Sequence, residues 1–205
     1  MRNHECEENR LEKIIHYGFP TIIHALLDIN EIEQHTLNLV KILNRLNHNE
    51  LIIHPICRCE AIDENTIYKL SIIIERALEI LNDNGITLYL ENNSKLDPIF
   101  STTKEIEIVF SNNPKLEFLL DIAHIYSYEQ LKEMVSIKKP KILHIADKRF
   151  DVIHEHLPIG YGEINFKYIF EQILCNYDGK IILEIIKEDS DIVKSKYIIE
   201  SLLRN

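Results

Sequence analysis

The chain has 205 residues, 45% of them hydrophobic, and a formal net charge of −10. This composition predicts one globular domain with a real core, and the acidic balance disfavours a general nucleic-acid binder, since affinity for phosphate backbones comes mainly from Lys and Arg. No apolar run approaches the ~20 residues of a membrane-spanning helix. The four cysteines form no dense disulfide framework, and the polar, acidic first residues are not a signal sequence, so we expect a cytoplasmic protein.

Short apolar runs alternate with amphipathic stretches along the chain. After an opening helix within residues 1–18, six runs suit strands that are buried on both faces: 21–24, 51–54, 86–91, 116–121, 141–144 and 180–184. Helical patterns lie between and after them, at 32–46, 66–81, 127–135, 166–175 and 191–203. The alternation predicts an α/β fold with a parallel sheet, either an open doubly wound sheet or a (β/α) barrel.

Each of the six strand candidates ends in an imidazole or a carboxylate: His24, His54, Glu91, Asp121, His144 and Glu184. The carboxyl ends of parallel strands lie at one rim, where barrel enzymes place their chemistry. Unpaired buried charges are costly, and a bound metal ion would remove that cost. Taken one at a time, these residues have ordinary alternatives, because Asp121 could cap a helix and His24 or His54 could be hydrogen-bonded core histidines.

A glycine-containing segment, 154–166, adds two further imidazoles. Two of the five glycines in the chain follow His154 and His156 within it. Because alternate residues of an extended segment share a side, these two histidines could form one edge of a zinc site, or else belong to a solvated loop. His124, three residues after Asp121, could point to the same mouth if the chain turns at the strand end.

Two cations follow His144. Lys148 and Arg149 could bind a carboxylate or phosphate of a substrate, although a solvated loop is an equal alternative. Cys57 and Cys59 form a single C-x-C pair, which is a poor metal signal without a second pair, and we expect reduced thiols there.

These residues together resemble a known group. His24, His54-Pro55, Glu91-Asn92, Asp121-x-x-His124, His144-Ile-Ala-Asp147, His156-Leu-Pro-Ile-Gly-x-Gly-x-Ile and Leu183-Glu184 stand in the order used by the xylose isomerase-like TIM barrels. That superfamily includes endonuclease IV, of the family 2 AP endonucleases, and many sugar isomerases and epimerases. The resemblance runs from about residue 20 to the C-terminus.

The resemblance implies a set of ligands for one to three divalent ions, drawn from Mn, Mg, Co and Zn. Glu91, Asp121, His144 and Glu184 would hold the ion that the superfamily shares. In the isomerase branch, Glu91 and Glu184 would also move a proton, and His124 would contact substrate. In the endonuclease branch, His24, His54 and Glu91 would hold one zinc, and His124, His154 and His156 another. His154 stands where that branch has Asp, and Asp151 is a candidate substitute.

The chain, at 205 residues, is shorter than a usual member of the group that it resembles. An eight-stranded barrel takes about 250 residues, so the six strands predict a (β/α) barrel that is incomplete, with its first two βα units missing or reduced. A second copy of the chain could cover the resulting open edge. The leading hypothesis is a metal-dependent isomerase or epimerase of a small sugar or sugar phosphate. The alternatives are a zinc phosphodiesterase, with DNA disfavoured as its substrate, and a non-catalytic relic that binds metal.

Overall fold

The computed structural model describes residues 8–204. The chain divides into two compact units. The first consists of the described residues up to Glu91 together with Glu107–Glu117, and the second consists of Asn92–Ile106 together with the described residues from Phe118 onward. Within residues 8–204, no helix is long and apolar enough to cross a membrane.

The first unit contains three parallel strands in the order β1-β2-β3. Its elements are α1 (Glu8–Tyr17), β1 (Ile23–Asp28), α2 (Ile32–Leu46), β2 (Glu50–Ile56), α3 (Glu64–Asp83) and β3 (Thr87–Glu91). Helices α2 and α3 pack against each other. Asp63 caps α3 by accepting the N–H of Thr66, and Gly85, at φ 68°, follows the end of that helix in the left-handed conformation that glycine tolerates.

The second unit contains three further parallel strands in the order β4-β5-β6. Its elements are β4 (Glu117–Asp121), of which only Glu117 belongs to the first unit, a 3₁₀ turn (Ile122–His124), α5 (Tyr128–Ile137), β5 (Ile142–Ile145), α6 (Phe166–Tyr168), β6 (Lys180–Leu183) and α7 (Asp189–Leu203). Helix α4 (Thr103–Asn112) begins in this unit and ends in the first one. The register of β4 and β5 sets Asp121 opposite His144.

The six predicted strands are confirmed, and so is the helix over Ile32–Leu46. Two predicted strand ends are wrong, however. Strand β1 continues past His24 to Asp28, and β2 continues past His54 to Ile56. Residues 25–27 extend the apolar run, and they pair with residues 53–55 of β2, so the histidines are embedded in the strands.

Two helical segments differ from the sequence pattern. Helix α4 was not predicted, because residues 105–108 alternate polar and apolar side chains as a strand does; the structure buries Ile106, Val109 and Phe110 at helical spacing. The predicted helix 166–175 is a short α-helix followed by a π-helical turn over Ile169–Ile173. The opening helix is present as α1, although the first seven residues of the range predicted to contain it lie outside the described residues.

Candidate metal centre

The first unit gathers two imidazoles around one buried carboxylate, which we call the Glu91 cluster (His24, His54 and Glu91). Glu91 is the last residue of β3 and is fully buried. Its Oε2 lies 2.7 Å from Nε2 of His24 and 3.0 Å from Nδ1 of His54. One ligand atom from each residue lies within 4.8 Å of the other two. Two imidazoles and a carboxylate are a donor set that suits zinc and other transition metals.

In the second unit, Asp121 ends β4 with a carboxylate that is fully buried. Its Oδ1 accepts the N–H of Ala123 at 2.6 Å. Within the described part of the chain, its Oδ2 makes no hydrogen bond. That oxygen instead lies 3.6 Å from Nε2 of His124 and 4.0 Å from Nε2 of His156. A buried carboxylate oxygen without a hydrogen bond is a costly feature that a cation would relieve.

The two histidines beside Asp121 are oriented by backbone carbonyls. Nδ1 of His124 lies 2.8 Å from the carbonyl oxygen of Asn92, and Nδ1 of His156 lies 2.8 Å from that of Glu184. Since a carbonyl can only accept, each Nδ1 carries the proton of its hydrogen bond, and a neutral ring then presents a lone pair at Nε2. The two Nε2 atoms are 3.4 Å apart. Two lone pairs at that distance repel unless a proton or metal ion lies between them, so this geometry fits a metal.

His154 completes what we call the imidazole cluster (His124, His154 and His156). Its ring centroid lies 5.5 Å from that of His124 and 4.8 Å from that of His156. One nitrogen from each of the three rings lies within 4.8 Å of the other two. His154 is exposed whereas the other two are buried, so it forms the outer side of the cluster. Asp151, the candidate substitute, is exposed and belongs to no potential metal cluster found among residues 8–204.

The remaining predicted ligands of the second unit form a close pair. His144 lies one residue before the end of β5, and Glu184 directly follows β6. Nδ1 of His144 lies 2.9 Å from Oε2 of Glu184. Three predicted ligands of this unit, Asp121, His144 and Glu184, therefore stand at or next to the ends of consecutive strands.

The loop that carries His156 is held by Asp147, which is buried. Its Oδ2 accepts the N–H groups of Gly160 and Gly162, both at 2.9 Å. Its Oδ1 accepts the N–H of Lys148 at 2.9 Å and that of Ile164 at 3.1 Å. The backbone of Asp147 also exchanges two hydrogen bonds of 2.8 Å with that of Leu157. This network fixes the residue that follows His156.

Lys148 and Arg149, predicted to bind substrate, have different surroundings. Lys148 is 3% exposed, and its ammonium donates a 2.7 Å hydrogen bond to the carbonyl of Ile125. Arg149 is at the surface and binds both carboxylate oxygens of Glu155. Burial lowers the pKa of the Lys148 ammonium, whereas the hydrogen bonds to Glu155 raise the pKa of Arg149.

Two positioning residues were quoted in the sequence motifs but received no role. Asn92 is fully buried, and its side chain accepts the N–H of Asp121 at 2.7 Å and donates to the carbonyl of Asp121 at 3.2 Å. Its backbone carbonyl orients His124. Asp147 is the second such residue. The signal in the sequence was a polar residue one or two positions after an apolar strand, and that position does not distinguish a ligand from a residue that orients one.

The chain belongs to the xylose isomerase-like TIM barrel family, whose family model matches residues 32–203. An uncharacterized protein of Methanocaldococcus jannaschii is 34% identical to it over 138 residues. That match covers 63% of this chain and 47% of the relative, so the chain spans about half of the relative's length.

Solved structures show the same fold at low sequence identity. A D-tagatose 3-epimerase-like protein superposes with a TM-score of 0.75 at 21% identity, covering 97% of this chain and 84% of the other. The IolI protein, solved with a bound zinc atom, gives a TM-score of 0.77 at 16% identity, covering 96% of this chain and 82% of the other. These matches confirm the predicted (β/α)-barrel fold class with six parallel strands.

Proposed function

We propose that this chain is a divalent-metal-dependent isomerase or epimerase acting on a small sugar or sugar phosphate. The observation that carries the proposal lies in the second unit. Asp121 and His144 face each other in register, and Nδ1 of His144 lies 2.9 Å from Glu184. Together with Glu91, these are the four residues that the resemblance gives as metal ligands. Their carboxylates and imidazole suit Mn, Co or Zn, and the carboxylates alone also suit Mg.

The proposed chemistry is a proton transfer next to a carbonyl group. A bound divalent ion would polarise that carbonyl and so acidify the neighbouring C–H group. Glu91 and Glu184 are the proposed acid and base, one removing the proton and the other returning it. Because Glu91 is fully buried, a proton held there is shielded from bulk water. His124, oriented by the Asn92 carbonyl, is proposed to contact the substrate.

Solvent deuterium exchange tests the proposed function. The full chain, loaded with one divalent metal at a time, is incubated with a panel of ketoses, aldoses and their phosphates in D₂O. Incorporation of deuterium next to the carbonyl, followed by NMR, supports proton transfer. The Glu184→Gln variant should abolish incorporation, whereas Glu188→Gln, at an exposed residue four positions later, should retain it. Retained exchange in Glu184→Gln would refute the assignment of Glu184.

A second candidate, a zinc phosphodiesterase, is favoured by the imidazole cluster and the Glu91 cluster. Zinc ions would activate water and stabilise a leaving oxygen. The net charge of −10 disfavours DNA as its substrate, but a small phosphodiester avoids that objection. Elemental analysis of protein purified without chelator separates the candidates. One Mn, Mg or Co ion per chain supports the isomerase, and three zinc ions support the hydrolase. A chain without metal and without turnover would support the non-catalytic alternative.

A further inference from the structure

Lys148 stands out among the cations of the second unit because it is buried without a direct counter-charge. Its side chain is 3% exposed, yet no carboxylate among the described residues forms an ion pair with it. Burying an ammonium group away from water is costly unless it is paired. The carbonyl of Ile125 accepts one of its three N–H groups, and the ring of Phe150 lies 5.5 Å from Nζ. Two N–H donors therefore remain for a ligand.

The nearby carboxylates do not pair directly with Lys148. Glu155 is bound through both oxygens by Arg149. The Asp121 carboxylate accepts the N–H of Ala123 through Oδ1, and its Oδ2 lies beside the rings of His124 and His156. Their negative charges act on Lys148 only at a distance, and the positive charge of Lys95 opposes them. Among the described residues, the Lys148 ammonium thus has no anion in direct contact, as a buried cation ordinarily has.

A second ammonium is placed beside the same stretch of chain. Nζ of Lys95 lies 4.9 Å from the ring centroid of Tyr126, and Tyr126 directly follows Ile125, whose carbonyl binds Lys148. Lys95 is exposed, and its ammonium forms no ion pair within the part of the chain that the structure describes. The two ammonium groups therefore contact consecutive residues, immediately after His124.

We propose that Lys148 and Lys95 form an anion subsite next to His124, which holds the carboxylate or phosphate group of the substrate. The proposal deepens the proposed function and rests on it for the identity of the substrate as a sugar acid or sugar phosphate. The buried ammonium of Lys148 would donate hydrogen bonds to the anion, and the exposed ammonium of Lys95 would attract the anion through its charge. Arg149 is excluded from this role, because Glu155 occupies its guanidinium group.

Calorimetric titration with inorganic phosphate tests the subsite without any need for turnover. The full chain is titrated as purified and again after metal removal by dialysis, with the chelator washed out. Saturable binding should persist after metal removal. Lys148→Met should weaken it at least about tenfold, since it removes a charge-assisted hydrogen bond to the anion. Lys95→Met should weaken it only several-fold, because an exposed charge contributes less.

Lys132→Met is the matched control, because Lys132 also lies over a tyrosine ring of the second unit, 5.4 Å from Tyr168. It should bind phosphate as the unmodified chain does. Binding that disappears with the metal, or that is equal in all three variants, would overturn the subsite. If Lys148→Met melts early and cannot be titrated, Lys95→Met decides, since that residue is exposed. Because the readout needs neither metal nor turnover, failure of the isomerase proposal would leave this result interpretable.

Discussion

Oδ2 of Asp147 accepts the N–H of Gly162 at 2.9 Å, and the backbone at Gly162 lies so close that no side chain fits there. A Cβ built on Gly162 would overlap Oδ1 of Asp147 and the carbonyl of Lys148. Gly160 serves a different need, because its φ of 90° is a conformation that L-residues rarely adopt, while nothing lies within 4 Å of the position that a Cβ would take there. The two glycines therefore let one buried carboxylate bind the loop that begins after His156.

Gly162→Ala should destabilise the chain more than Gly160→Ala. The first substitution forces the loop away from Asp147 and should cost about 2–3 kcal/mol, as overpacking of a tight site does. The second meets only backbone strain, for which about 1–2 kcal/mol is expected. Urea unfolding followed by circular dichroism measures both. Equal losses in the two variants would show that close approach to Asp147 is not the reason for glycine at 162.

Asp147→Asn should lower the free energy of unfolding by about 2–4 kcal/mol, because an amide nitrogen replaces one of the two oxygens that accept four backbone N–H groups. Two of the four backbone N–H groups then face the NH₂ group of the asparagine, which donates hydrogen bonds and cannot accept them. Asp178→Asn is the control at an exposed aspartate of the same unit and should leave the unfolding curve nearly unchanged. An unfolding curve for Asp147→Asn that superimposes on that of the control would contradict the role of Asp147 as the anchor of this loop.

The order of strands and helices could be predicted from the sequence because buried parallel strands are apolar on both faces and stand out as short runs. The ends of β1 and β2 could not be predicted in this way. A single polar histidine interrupts the apolar run of each strand and therefore resembles its end, although apolar residues of the same strand follow it. Helix α4 was missed because Glu105-Ile-Glu-Ile has the period of a strand. The roles of Asn92 and Asp147 depend on contacts with residues 13 to 32 positions away, for example Asn92 with His124, which the local sequence pattern does not encode.

His154→Ala should weaken zinc binding at the imidazole cluster. Removing one of the three nitrogens leaves two ligands in this cluster. We expect the zinc affinity to fall at least about tenfold, because even the loss of a residue that only hydrogen-bonds to a ligand lowers metal affinity by about that factor. Competition with a chromophoric chelator measures the affinity and the number of sites on the full chain. His16→Ala, at an exposed histidine of α1, is the matched control. Unchanged affinity in His154→Ala would show that the exposed ring does not bind metal.

Glu155 should titrate far below an ordinary glutamate. Hydrogen bonds from the Arg149 side chain and backbone lower the pKa of Glu155 to about 2. Because the pKa is lower in the folded state, the stabilisation is fully present above the ordinary value of 4.5 and is lost as the pH falls through about 2. A carbon-13 NMR titration of the carboxyl group should give the low midpoint in the unmodified chain. In Arg149→Met the midpoint should rise towards 4.5, whereas in Arg204→Met, a control on the residue after α7, it should stay low. A midpoint near 4.5 in the unmodified chain would mean that Glu155 does not hold Arg149 in solution, and Arg149 would again be a candidate for the substrate anion.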